Sequence, residues 1–217
     1  ILTLPEVTAH AQDPVLNRPL RFNTDFVAGL EMNRYLHESG TTPEQCAAVV
    51  VKNRYNALSN PLAPYGADLD LDDILDGPPL SWPLGKRECA EHADGAVVFV
   101  LASEERARFL TDNPIWILGV GWCSGSPSLE SRAWGQVPYL EKAALMAYRQ
   151  SGFSNPVGVV DFAEVDDTYA YKELQSLEAL GFFAPGEAGA MTAEGFTASD
   201  GALPVNVSGG SLGMGHL

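Results

Sequence analysis

Four short apolar runs, spaced by helical segments, most narrowly limit what this chain can fold into. They are Val97–Ala102, Ile115–Cys123, Val157–Val165 and Leu203–Asn206. The first is apolar without alternation, the pattern of a strand buried on both faces. The second is interrupted by Gly119 and Gly121. Between the runs, Ser103–Phe109 reads as a helical turn, Pro138–Gln150 as a helix opened by Pro138 and closed by Gly152, and Thr168–Leu180 as a helix closed by Gly181. Strand–helix–strand–helix–strand–glycine loop is the order of an α/β fold with a central sheet covered by helices.

The first half is built differently. Pro5, Pro14 and Pro19 without periodicity predict an extended loop over residues 1–23. Residues 24–39 predict a helix with Phe26, Val27, Leu30 and Leu36 on one side and Gly40 at its end. Thr42, Pro43 and Gln45 form a capping-box start for a second helix reaching about Leu58 and burying Cys46, Val49 and Val50. Residues 59–88 are rich in Pro, Gly and Asp, so they predict irregular structure with one short helix near Asp72–Leu75. Asp68, Asp70 and Asp72 imitate the start of a calcium loop. Asp73 stands at the required glycine and Pro79 at the bidentate glutamate, so these acids are read as helix caps and solvated charge.

Charge removes several classes of partner. The 217 residues carry 28 acidic and 13 basic side chains, a formal net charge of −15. No basic stripe is present to neutralise phosphates, which argues against nucleic acid and against anionic membrane surfaces. Nothing resembles a signal peptide or a membrane span. Cys46, Cys89 and Cys123 have no CxxC spacing, so the expectation is buried free thiols in a cytoplasmic protein, without a disulfide framework or a zinc site. The chain opens at Ile1 within a loop-like stretch, which reads as a fragment.

Three segments carry chemistry. Glu91-His92-Ala93-Asp94-Gly95-Ala96 leads into a strand, Glu164-Val165-Asp166-Asp167-Thr168-Tyr169-Ala170 lies at a strand-to-helix turn, and Ser208-Gly209-Gly210 runs on to Gly215-His216. Glycines let backbone approach a ligand closely, and a histidine presented there can polarise a carbonyl or exchange a proton near neutral pH. Asp166 and Asp167 each read equally well as the N-cap of the helix that follows.

In that order and context the segments resemble the thiolase superfamily, in particular its sterol-carrier-protein-like members. Gly40-Thr41-Thr42 through Asn60-Pro61, and Glu173-Leu174 through Gly181, share the likeness. The resemblance implies a layered α/β/α/β/α sandwich, incomplete in this chain. Residues 1–90 would be a loop domain over the active site, 91–112 the last strand and helix of the N-terminal half, and 113–217 a truncated C-terminal half. It implies an acyl-CoA acyltransferase that cleaves 3-ketoacyl-CoA thiolytically or runs the reverse Claisen condensation. Coenzyme A would be a substrate, with no bound cofactor or metal. A homo-oligomer is implied, and related subgroups add a small OB-fold partner protein.

By resemblance His216 and Asp166 are catalytic positions, with His92, Gly209 and Gly210 placed to bind substrate. Asp166 departs from the family's Asn or His, and an ionised carboxylate only accepts hydrogen bonds. The family's nucleophilic cysteine and its Cys-x-Gly motif match none of the three cysteines, and Leu217 stands where the Gly-His motif continues with proline. Two alternatives stay open: a decarboxylating ketoacyl synthase, which would carry a second active-site histidine, and a non-catalytic acyl-CoA-binding or scaffolding subunit.

Overall fold

The computed structural model describes residue 10 and residues 12–20, 22–126 and 128–216. Residues 1–9, 11 and 21 of the predicted loop over 1–23, and Leu217, fall outside that set. Helix α1 spans Thr24–Ser39, opened by Asn23, whose Oδ1 accepts from Phe26 N (2.7 Å), and closed by Gly40 at φ 74°. Its buried side is only partly the predicted one, since Val27 is buried and Leu36 packs on the core but the rest of that side turns outward. Met32 and Tyr35 are buried with Val27, Ala28 and Glu31, whereas Phe26 and Leu30 are about 40% exposed. Gly29 sets this rotation, because a Cβ there would lie 2.4 Å from the Ser81 carbonyl oxygen, so α1 turns that side onto the neighbouring hairpin.

Helix α2, Pro43–Ala57, has the capping box that its sequence predicts, Thr42 and Gln45 satisfying each other's backbone N–H. Cys46, Ala47, Val49 and Val50 are wholly buried along it. α2 is the hub. It touches the short helix α3 (Leu71–Leu75), α6 (Ala170–Ala179), α7 (Ala188–Ala193) and α8 (Gly210–Met214). Together with α1 these bury one apolar core in which Met32, Val49, Leu84, Leu174, Leu177 and Leu212 interlock. Asp70 caps α3, as expected of an acid in that run.

The predicted strands need correction. Among the described residues the strands are β1 (Pro79–Ser81) and β2 (Leu84–Gly85), an antiparallel hairpin that no pattern announced. Val97–Ala102 and Ile115–Cys123 have no strand partner. Val157–Val165 starts as a turn on Pro156 and meets Leu203–Asn206 in a single parallel bridge between Ala163 and Val205, not in a strand pair. A both-faces-buried strand needs neighbours on each edge, and none lies beside the first two runs among the described residues. The helices around them do form: α4 (Glu104–Leu110) is capped by Ser103, and α5 (Pro138–Ser151) ends at Gly152 with φ 82°. Of the cysteines, Cys46 is buried and Cys89 half-buried, while Cys123 is exposed, against the expectation of a buried thiol.

Candidate functional site

The three chemistry-bearing segments come together on one strip of backbone. Residues 89–93 pair on one side with the strand-to-helix turn, through an antiparallel bridge between Cys89 and Tyr169 and a bond from Ala90 N to the Thr168 carbonyl (2.8 Å). On the other side the strip takes the glycine tail. His216 N donates to the Glu91 carbonyl (2.7 Å), Ala93 N donates to the His216 carbonyl (2.9 Å), and His92 and His216 are thereby direct partners in a parallel bridge. Both histidines and Asp166 are exposed. Tyr65 braces the tail from beneath, taking Gly213 as its backbone partner (3.0 Å) and reaching the His92 carbonyl through its hydroxyl (3.4 Å).

A buried polar network holds the tail in that place. Asp167 is wholly buried and accepts from Ser211 N (2.6 Å), Leu212 N (3.2 Å) and Asn53 Nδ2 (2.8 Å). It therefore caps α8, supplying the acceptors that a helix start lacks. Burial, then the nearby Glu173 charge, push its carboxyl up to about 6, against those three donors. Glu173 accepts from Asn53 (2.7 Å) and Asn206 (2.7 Å), and Lys52 Nζ lies 3.0 Å from its other oxygen, a charge contact of poor hydrogen-bond angle. Asn206 is fully committed. At φ 50° it also takes Val165 N on its side chain and Ala163 on its backbone (2.8 Å each).

This geometry revises the capping expectation. α6 begins at Ala170 after Tyr169, which makes no side-chain cap bond, so neither aspartate caps it. Asp166 instead closes a turn ahead of the helix, its Oδ1 accepting from Thr168 N (3.0 Å) and Thr168 Oγ1 (2.7 Å). Gly209 and Gly210 are buried: a Cβ on Gly209 would lie 2.6 Å from Ala57 Cβ, and one on Gly210 2.2 Å from Asp167 Oδ2. Their missing side chains let α8 sit down on α2 and on its capping acid. Sequence reasoning passed over Lys52, Asn53 and Asn56. The signal was available, because Asn53 and Asn56 continue the spacing of Cys46, Val49 and Val50, and polar residues on a buried helix side must find partners.

Neither Cys46 nor Cys89 is poised as a thiolate. Burial pushes the Cys46 thiol well up, and burial with nearby acids lifts Cys89 to about 12. Nor do the described residues hold a cluster of three or more metal-ligating side chains. A cleft of about 610 Å³ lies elsewhere, between α1, α5 and α6, and none of the five predicted site residues lines it.

Residues 126–217 match the family described as thiolase C-terminal domain-like. The chain belongs to the thiolase superfamily. It is 32% identical over 184 residues to an acetyl-CoA acetyltransferase of Methanothermobacter thermautotrophicus, covering 84% of this chain and 48% of that protein. A steroid side-chain-cleaving aldolase of Thermomonospora curvata is 33% identical over 209 residues, 93% of this chain and 51% of its own. Among solved structures, the Ltp2-ChsH2(DUF35) aldolase superposes with a TM-score of 0.79 at 29% identity, over 100% of this chain and 56% of that one. The chain thus spans about half the length of the curated relatives it matches. Its fold is the thiolase-like α/β fold, and among the described residues the sheet of that fold is reduced to one short hairpin.

Proposed function

We propose that this chain is part of a thiolase-type acyltransferase that makes or breaks the carbon–carbon bond beside a CoA thioester carbonyl, by thiolysis of a 3-ketoacyl-CoA or the reverse condensation. The observation carrying this reading is the backbone ladder that draws the Gly215-His216 tail, His92 and the Asp166–Thr168 turn together. His216 serves as the group that polarises the thioester oxygen, an interaction strongest as negative charge develops there. Asp166, already accepting from Thr168, shapes the turn and orients water. Coenzyme A enters as substrate and no resident cofactor is needed. The attacking thiolate is assigned to a cysteine outside the described residues: the Cys46 and Cys89 thiols are raised, and Cys123 matches neither cysteine motif of the family. A homo-oligomer, a small OB-fold partner and a cytoplasmic setting belong to the same reading; no helix among the described residues is long and apolar enough to cross a membrane.

A second reading is retro-aldol cleavage of a CoA thioester, which needs a base and an oxyanion donor but no thiolate. It draws on the superposition with the aldolase structure and on the raised Cys46 and Cys89 thiols. The two are separated by substrate. The 217-residue chain alone should not thiolyse acetoacetyl-CoA, and a preparation supplying the rest of the fold should. Thiolysis by the isolated chain, abolished by blocking Cys89 or Cys123, would overturn the assignment of the nucleophile. A completed protein inert with CoA but active on a 3-hydroxyacyl-CoA would select the aldolase reading.

A further inference from the structure

We propose that His92 and His216 form a two-donor clamp on the thioester oxygen, His92 supplying the second donor. This rests on the acyl-CoA reading above and deepens it. The bridge between the two residues is set by His216 N bonding the Glu91 carbonyl and the His216 carbonyl bonding Ala93 N. Directly opposed residues in such a pair send their side chains to the same side of the ribbon, about 5 Å apart at the strand spacing. Both imidazoles are exposed on that side, free to face a third group.

Stabilising a developing oxyanion takes N–H groups aimed from more than one direction, and each neutral imidazole offers one such donor. Asp166 offers none, because its carboxylate accepts and is already engaged by Thr168. His92 is therefore the side chain, among those the ladder assembles, that can complete the pair. The ribbon beneath is stiff enough to hold it. A Cβ on Gly215 (φ 95°) would lie 2.5 Å from Ala93 Cβ and 3.2 Å from the Tyr65 ring, and Arg54 stacks over that ring at 5.5 Å.

The test is the infrared stretch of acetoacetyl-CoA carrying a carbon-13 label at the thioester carbonyl, bound to the protein that contains this chain. Donors to the carbonyl lower that frequency, so the wild-type complex should show a red-shift. His92→Ala and His216→Ala should each reverse part of it while the probe still binds, and His92→Asn, which keeps an N–H donor, should restore part. A side chain that only supported the fold would not give that Asn rescue. A shift that responds to His216→Ala but is identical in His92→Ala and wild type overturns the clamp and leaves the acyl-CoA reading standing. Failure of wild type to bind the probe at all overturns the acyl-CoA reading itself.

Discussion

Residues 24–93 with 163–216 and residues 94–123 show what apolar sequence does with and without a neighbour. In the first region Met32, Val49, Val50, Leu174 and Leu212 are fully buried, and nearly every polar group in the network around Glu173 is paired. In the second, Val98, Phe99 and Val100 are about 85% exposed and Ile115 is 95% exposed. Apolar content does not account for this, because the exposed region is the richer of the two in apolar residues. The difference is geometric: helices α1, α2 and α6 each need one covered side, which their neighbours in this chain supply. A run that is apolar on both faces needs two covering layers and two paired edges. Ile115–Cys123 shows the half-finished case. Gly119 and Gly121 bring it onto α5, where a Cβ would lie 2.1 and 1.8 Å from the Ala147 and Ala143 oxygens, and the Gln150 amide brackets Val120 N (3.2 Å) and its carbonyl (2.7 Å). One side is covered and one residue is paired. The exposed side is where the rest of a thiolase-like sheet would add.

The largest effect belongs to the packed region. Asp167→Ala leaves two backbone N–H groups of α8 and one N–H of the Asn53 amide without their acceptor, and buried donors so orphaned cost about 1–3 kcal/mol each before relaxation. We expect a loss of about 3 kcal/mol in urea unfolding, together with loss of the His216 ladder seen as faster amide exchange at Ala93. Asp166→Asn is its control. The amide oxygen can accept from Thr168 as the carboxylate does, so stability should change by less than about 0.5 kcal/mol. If the neighbouring variants cost the same, the network does not position the tail.

How much of this was legible follows the same divide. Capping chemistry was readable at Thr42, Pro43, Gln45, Gly40 and Gly152, because a cap is a local contest between a few side chains and orphan backbone groups. The His216, Asp166 and His92 segments were legible as a set, and the structure joins their backbones; their chemical roles rest on the proposals above. The four strands were misread because a strand exists only through its partner, and an apolar run states the demand for one without supplying it. The phase of α1 was only partly legible, because Gly29 and Glu31 lie on its buried side. Gly29 lets the hairpin approach, and Glu31 is paired there with Lys172 and Arg132. The Asp167 cap on α8 joins residues 44 apart in sequence, beyond any local pattern.

A middle-sized effect separates the regions by pH. Burial pushes Glu88 up to about 7 and, with the Glu173 charge, Asp167 up to about 6. Both folded values lie above the unfolded ones, so the native state binds extra protons between roughly pH 4 and 7. Stability should then rise as pH falls through that window and gain nothing more from these groups below about pH 4. Glu88 holds Gly85 N on one oxygen (2.7 Å) while the other is buried without a partner. Glu88→Gln removes the buried charge and should raise stability at pH 8 by on the order of 1–2 kcal/mol, flattening the profile in parallel thermal melts. A profile unchanged by this substitution would mean that the carboxyl ionises with water access, and that the packed region is looser than its contacts imply.

The smallest effect on stability belongs to the exposed runs, and it puts the comparison at most risk. In Val98→Ser with Phe99→Ser, almost no buried apolar surface is lost, because both side chains already face solvent in this chain. At about 25 cal/mol per Å² of area removed from water, a side chain that buries little contributes little, so the unfolding free energy should move by less than about 0.5 kcal/mol. Surface behaviour should change much more. Contiguous exposed apolar strands template association and bind hydrophobic dyes, so the double variant should self-associate less in sedimentation and give weaker dye fluorescence. In a completed thiolase-like assembly the order should invert. There the same two residues would sit between strands and layers, and replacing them with serine should cost several kcal/mol and block assembly. Equal, large destabilisation in the isolated chain would show that Val97–Leu101 already has its partner here, and the contrast between the two regions would collapse.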